Sequence, residues 1–128
     1  MHLLRSLALL VFCAAVATAD TGVFVTRIIR PADPIFEYYV PARHTLRVLN
    51  FVQDVQTYAP GPPNVIQPLP GAPLKVRLND ATLAVAVLTA SFASQSETQK
   101  DFLIAGPATI HIEPVTGANV TITFRIAR

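Results

Sequence analysis

After Cys13 the sequence contains no cysteine, and it contains no tryptophan anywhere. The first absence removes disulfide staples, thiol catalysis, cysteine-bearing zinc sites and iron–sulfur clusters from the body of the protein. The second removes the usual aromatic platform for sugars. Charge is also scarce, at 14 % Asp, Glu, Lys and Arg, where typical domains carry about 25 %. No run of like charges occurs, so nucleic acid and anionic membrane surfaces are not expected partners. Catalytic signatures are missing too. There is no Gly-x-Ser-x-Gly, and Ser91, Ser94 and Ser96 have no histidine near them in sequence. The five glycines are isolated turn residues rather than a phosphate-binding loop. Nothing marks two of the eight carboxylates as a buried pair. No enzymatic activity and no cofactor are expected.

What is present begins with a leader. Arg5 precedes an apolar stretch from Leu7 to Ala17, and Ala17-Thr18-Ala19 supplies small residues for cleavage. This is the layout of a secretory signal peptide over residues 1–19, cut before Asp20. The apolar run is short for a bilayer, which needs about 20 residues, so no membrane span is expected after cleavage. A lipoprotein reading of Cys13 founders on Phe12, where a small residue is required. The expected location is extracellular, periplasmic or at the cell surface. Removing the first 19 of 128 residues leaves 109, the size of one domain. Losing Arg5 leaves nine Lys and Arg against eight Asp and Glu, a nearly neutral domain. So few charges leave much of its surface apolar, as in proteins that associate.

The remaining chain alternates. Isoleucines at 110 and 112 point one way and Thr109, His111 and Glu113 the other, while Val120, Ile122, Phe124 and Ile126 alternate with Asn119, Thr121, Thr123 and Arg125. A period of two over these lengths predicts half-buried strands, with PVTGA turning between them as a closing hairpin. Further strands are expected over 20–30, 35–40, 43–55 and 74–78. In 43–55, Leu46, Val48 and Val52 share one face and Leu49 and Phe51 the other, predicting a strand covered on both sides. The apolar run 82–93 reads as a buried strand, because Leu83, Val85, Val87 and Thr89 alternate with smaller residues. Residues 59–73 hold six of the eleven prolines and read as an extended loop, partly polyproline II, inside a domain spanning 20–128. Ser94-x-x-Glu97 offers at most one helical turn. About eight short strands punctuated by Pro and Gly predict an all-β fold. Its form is a single antiparallel β-sandwich, immunoglobulin-like or jelly-roll-like.

Two functional classes follow. The first is a structural or assembly protein, packing with copies of itself or with other secreted proteins. The strand behind the cleavage site, with Val23, Val25, Ile28 and Ile29, would add to a neighbour's sheet edge. The second is a module for a glycan or small ligand, with Tyr38, Tyr39 or Tyr58 stacking beside Arg43 or Arg47. A metal site is a third candidate: His111-x-Glu113 places two ligand types about 7 Å apart on one strand face, with His44 and Asp54 or Glu37 as further ligands. Arg43, Arg47, Lys75 and Arg77 are candidates for an anionic-glycan patch, and Asn119-Val120-Thr121 is a formal N-glycosylation sequon.

Overall fold

The computed structural model describes residues 22–93 and 101–128. The leader and the Ser94–Glu97 motif lie outside them. The described residues form eleven strands: β1 Val23–Ile29, β2 Phe36–Val40, β3 Thr45–Gln53, β4 Tyr58–Gly61, β5 Val65–Pro68, β6 Pro73–Leu78, β7 Val85–Thr89, β8 Ser91–Phe92, β9 Phe102–Ala105, β10 Ala108–Ile112 and β11 Val120–Ala127. One sheet runs β1-β11-β3, with β8 and β9 both on the far side of β3; a second runs β2-β10-β6-β7; β4 and β5 pair only with each other.

Setting β4, β5 and β8 aside leaves eight strands that cross between the two large sheets. β1, β3, β9 and β11 lie in one, and β2, β6, β7 and β10 in the other. Only β6 and β7 are consecutive neighbours of these eight within a sheet, so the strand order is of jelly-roll type. All pairings are antiparallel except a two-residue parallel contact of β3 with β8. The alternating residues build one shared core. Val120, Ile122, Phe124, Leu46, Val48 and Phe51 come from the first sheet and Val40, Leu74, Ile110 and Ile112 from the second, all fully buried. Tyr38 of β2 meets Phe124 of β11 edge-on at 4.9 Å between ring centroids, joining the sheets.

The alternation in β10 and β11 is as expected, but the hairpin is not. The two strands sit at interior positions of different sheets, β10 between β2 and β6 and β11 between β1 and β3. Residues 113–119 form an arch between the sheets, tightened by the Val115–Ala118 bridge and turned at Gly117, whose φ of 84° favours glycine. The two-faced reading of β3 has a different cause from burial on both sides. Phe124 pairs with Val48 and Thr123 with Asn50, so Leu49 is an extra, bulged residue. The bulge switches the phase: Leu46 and Val48 point inward before it, Phe51 and Gln53 after it.

Two further expectations are corrected. Residues 59–73 are not one extended loop. Tyr58 to Pro68 folds back as the β4–β5 ribbon, turning through a cis Pro62–Pro63 peptide and Asn64 at φ 65°. Within 82–93, Val85–Thr89 and Ser91–Phe92 are strand; only Ala90 is buried, and Val87 and Leu88 pack partly buried against the core. Among the described residues no strand pairs with the far side of β7, and Leu83 and Val85 face solvent.

Candidate functional site

The outer face of the second sheet carries the most concentrated polar chemistry. Antiparallel register sets Glu37, His111 and Lys75 side by side on β2, β10 and β6, with Tyr39, Thr109 and Arg77 in the adjoining row. His111 Nδ1 lies 3.1 Å from Glu37 Oε1, and its Nε2 lies 3.5 Å from Glu113 Oε1. Lys75 Nζ reaches the same Glu113 oxygen at 3.9 Å. Strand spacing therefore brings His111 and Glu113 together as the sequence suggested, and register adds Glu37. It does not make a metal centre. Each carboxylate faces a different ring nitrogen, so one ion at bonding distance from either nitrogen cannot gather both. No group of three metal-ligating side chains able to hold an ion occurs among the described residues. His44 and Asp54 are occupied elsewhere, His44 with the Ala42 carbonyl and Asp54 with Asn119.

The expected ligand set does not converge. Tyr38 points into the core against Phe124, while its neighbour Tyr39 faces out from the same sheet. Tyr58 belongs to the β4–β5 ribbon. Arg47 lies on the outer face of the other sheet, where its Nε and Nη2 donate to the two oxygens of Asp101 at 2.7 and 3.1 Å. That hydrogen-bonded pairing holds the Asp101 carboxyl below the usual carboxylate range and raises Arg47 above its ordinary value. Arg43 occupies the β2–β3 turn at φ 62°. Lys75 and Arg77 share one sheet and Arg47 the other, so the four cations form no common patch.

Among the described residues β1 pairs only with β11 and lies at the edge of its sheet. Of its four named residues, Val23 and Ile28 are exposed and Val25 half-buried, whereas Ile29 is a core residue with 2 % exposure, because it opposes Val120 in the inward phase. Arg27 shares that inward phase, opposite Ile122. A charge directed inward on an edge strand discourages a further strand from adding. The other edges are blunted as well. β2 is bracketed by Pro34 and Pro41, and β9 is four residues long and stops before Pro107. β7 bulges, since Leu74 pairs with Leu88 and Lys75 with Ala86, leaving Val87 extra.

The ribbon presents apolar groups without such reserve. Its cross-strand pairs place Tyr58 with Pro68 and Pro60 with Ile66 on one face, and Ala59 with Gln67 and Gly61 with Val65 on the other. Tyr58 is 59 % exposed and Ile66 72 %. No charged residue occurs between Asp54 and Lys75. Within a strand pair, proline fits where its missing N–H would point away from the partner. Pro60 and Pro68 therefore close the ribbon's edges to strand addition and leave its faces as the usable surface.

The base of this ribbon is locked. Gln53, fully buried, accepts from Ala72 N–H at 3.0 Å and donates from Nε2 to the Val55 carbonyl at 2.8 Å. It thus ties the chain leaving for β4 to the chain returning to β6. Asp54 accepts from the Asn119 backbone and side chain at 2.9 and 3.0 Å, and its own N–H donates to the Asn119 carbonyl at 3.0 Å. The sequon asparagine thereby pins the interlayer arch to the ribbon's root. Neither Gln53 nor the apolar ribbon was singled out from sequence, because the inward phase of Gln53 follows from the bulge at Leu49. Comparison with protein-family models, with curated proteins and with solved structures finds no match to this chain.

Proposed function

We propose that the protein is an exported structural module that assembles with copies of itself, using the β4–β5 ribbon as its contact element. The observation that carries this reading is an apolar face of Tyr58, Pro60, Ile66 and Pro68, left open to solvent on a ribbon whose root is fastened by Gln53 and Asp54. A two-stranded ribbon is marginal in water without a surface to pack on. Contiguous exposed apolar groups of this kind mark association surfaces. Assembly thus moves from the β1 edge, where Arg27 stands in the way, to the ribbon. Sedimentation velocity of the purified protein over a concentration series tests the reading. Species larger than the monomer should grow in with concentration; a single monomeric boundary throughout would contradict it.

A second reading, a glycan-binding face, rests on exposed Tyr39 lying in one row with Thr109 and Arg77. A glycan array probed with folded wild-type protein and with Tyr39→Ala tests it. Binding lost in the variant favours that face, and no binding by the wild type removes it.

A further inference from the structure

The end of the sandwich opposite the ribbon holds a cleft of about 480 Å³ lined by Leu78, Asn79, Asp80, Ala81, Ala105, Gly106 and Pro107. β6 fixes the separation, since the ribbon rejoins the sandwich at Pro73 and the cleft begins at Leu78. Leu78 is exposed there. The ribbon end thus offers an apolar projection and the opposite end a recess, while a smaller cleft of about 330 Å³ between Ile28 and Phe36 lies at the ribbon end itself.

The two ends also differ in charge. Among the described residues, loops at the ribbon end carry Asp33, Asp54 and Glu113 against Arg30, with Lys75 reaching Glu113 from two positions inside. The cleft end carries Arg43 and Arg128, with Arg77 one position inside, against Asp80. Like ends brought together would oppose like charges, whereas unlike ends attract. Charge therefore selects a head-to-tail arrangement over a two-fold one, and the apolar parts match in the same arrangement.

We infer that the ribbon tip of one copy, Val65 and Ile66, docks into the Leu78–Pro107 cleft of a second copy, so that copies associate head to tail. This deepens the assembly reading and rests on it. The contact is heterologous: each molecule uses two different surfaces, and each added copy leaves one ribbon and one cleft unoccupied. Successive copies extend an open chain unless the rotation between them closes a ring.

Two variants, each blocked at one end, test this. Ile66→Lys charges the tip, and Ala81→Glu places a carboxylate in the cleft against an acidic partner end. Both positions are exposed, so both variants should melt as the wild type does. Should either fail to fold, Val65→Lys or Leu78→Lys replaces it. Each variant alone is expected to sediment as a monomer. Mixed in equal amounts they should form a 1:1 dimer and nothing larger, because one intact tip and one intact cleft remain. Leu83→Lys, outside the contact, should assemble as wild type. If Ala81→Glu assembles normally while Ile66→Lys does not, the ribbon docks elsewhere; this inference then falls and the assembly reading stands. A mixture that stays monomeric also overturns the head-to-tail contact. A wild-type protein that is monomeric at every concentration overturns both.

Discussion

β11 and the β4–β5 ribbon are both rich in apolar residues, and they use them in opposite ways. In β11, Val120, Ile122 and Phe124 are fully buried between the sheets and the outward row is Thr121, Thr123 and Arg125. In the ribbon, Tyr58 and Ile66 face water, with Pro60 and Pro68 beside them on the same face. The first arrangement is explained within one molecule, by the hydrophobic gain of closing the core. The second is not, because exposing these groups gives an isolated domain nothing. The difference separates residues that make the fold from residues available to a partner.

Substitutions can break that contrast at several points. Phe124→Ala should have the largest effect, about 3–5 kcal/mol of lost stability in denaturant melts, since it opens a cavity against Tyr38 and the facing sheet. Gln53→Ala comes next, because it strands the buried Ala72 N–H and the Val55 carbonyl. We expect a loss of about 1–3 kcal/mol, with faster hydrogen exchange at Ala72 as the specific sign that the ribbon's root has loosened. Ile66→Lys should change stability by no more than ~0.5 kcal/mol while abolishing association. Loss of association without loss of stability is what distinguishes a contact residue from a core residue.

The smallest effect concerns Asp101. Its folded carboxyl titrates below the ordinary value because Arg47 hydrogen-bonds to it. The stabilising contribution is therefore complete above about pH 4 and is lost as pH falls through the lowered folded value. Both groups are exposed, so the effect is small and screened by salt. In low salt, the melting-temperature gap between wild type and Arg47→Gln should narrow on going from neutral to strongly acid pH. A gap that widens would contradict the sign.

The all-β class and the facing of β10 and β11 were legible because a period of two reports which side of a strand is buried. It does not report which strand lies alongside. Two alternating runs joined by PVTGA satisfy a hairpin and an interlayer arch equally well, and only the partners β2, β6, β1 and β3 decide between them. Leu49 was illegible for a related reason: one bulged residue makes a strand look apolar on both faces. In β7 the extended run was legible, but its facing and burial were not, because the bulge at Val87 shifts the phase and the strand lies at its sheet's edge. The prolines of 59–73 suggested a spacer, yet Pro60 and Pro68 sit where a two-stranded ribbon admits proline. For the candidate sites, spacing linked His111 to Glu113, but the link to Glu37 required the β2–β10 register. Gln53 carried no sign until the bulge placed it inward.

The most direct test of the central claim is sedimentation equilibrium on the wild type and Ile66→Lys in parallel, at the highest soluble concentration. The wild type should show a mass above the monomer that rises with concentration, and the variant a monomer mass with an unchanged melt. A monomeric wild type, or a variant that assembles as well as the wild type, would contradict the assignment of the ribbon as the assembly element.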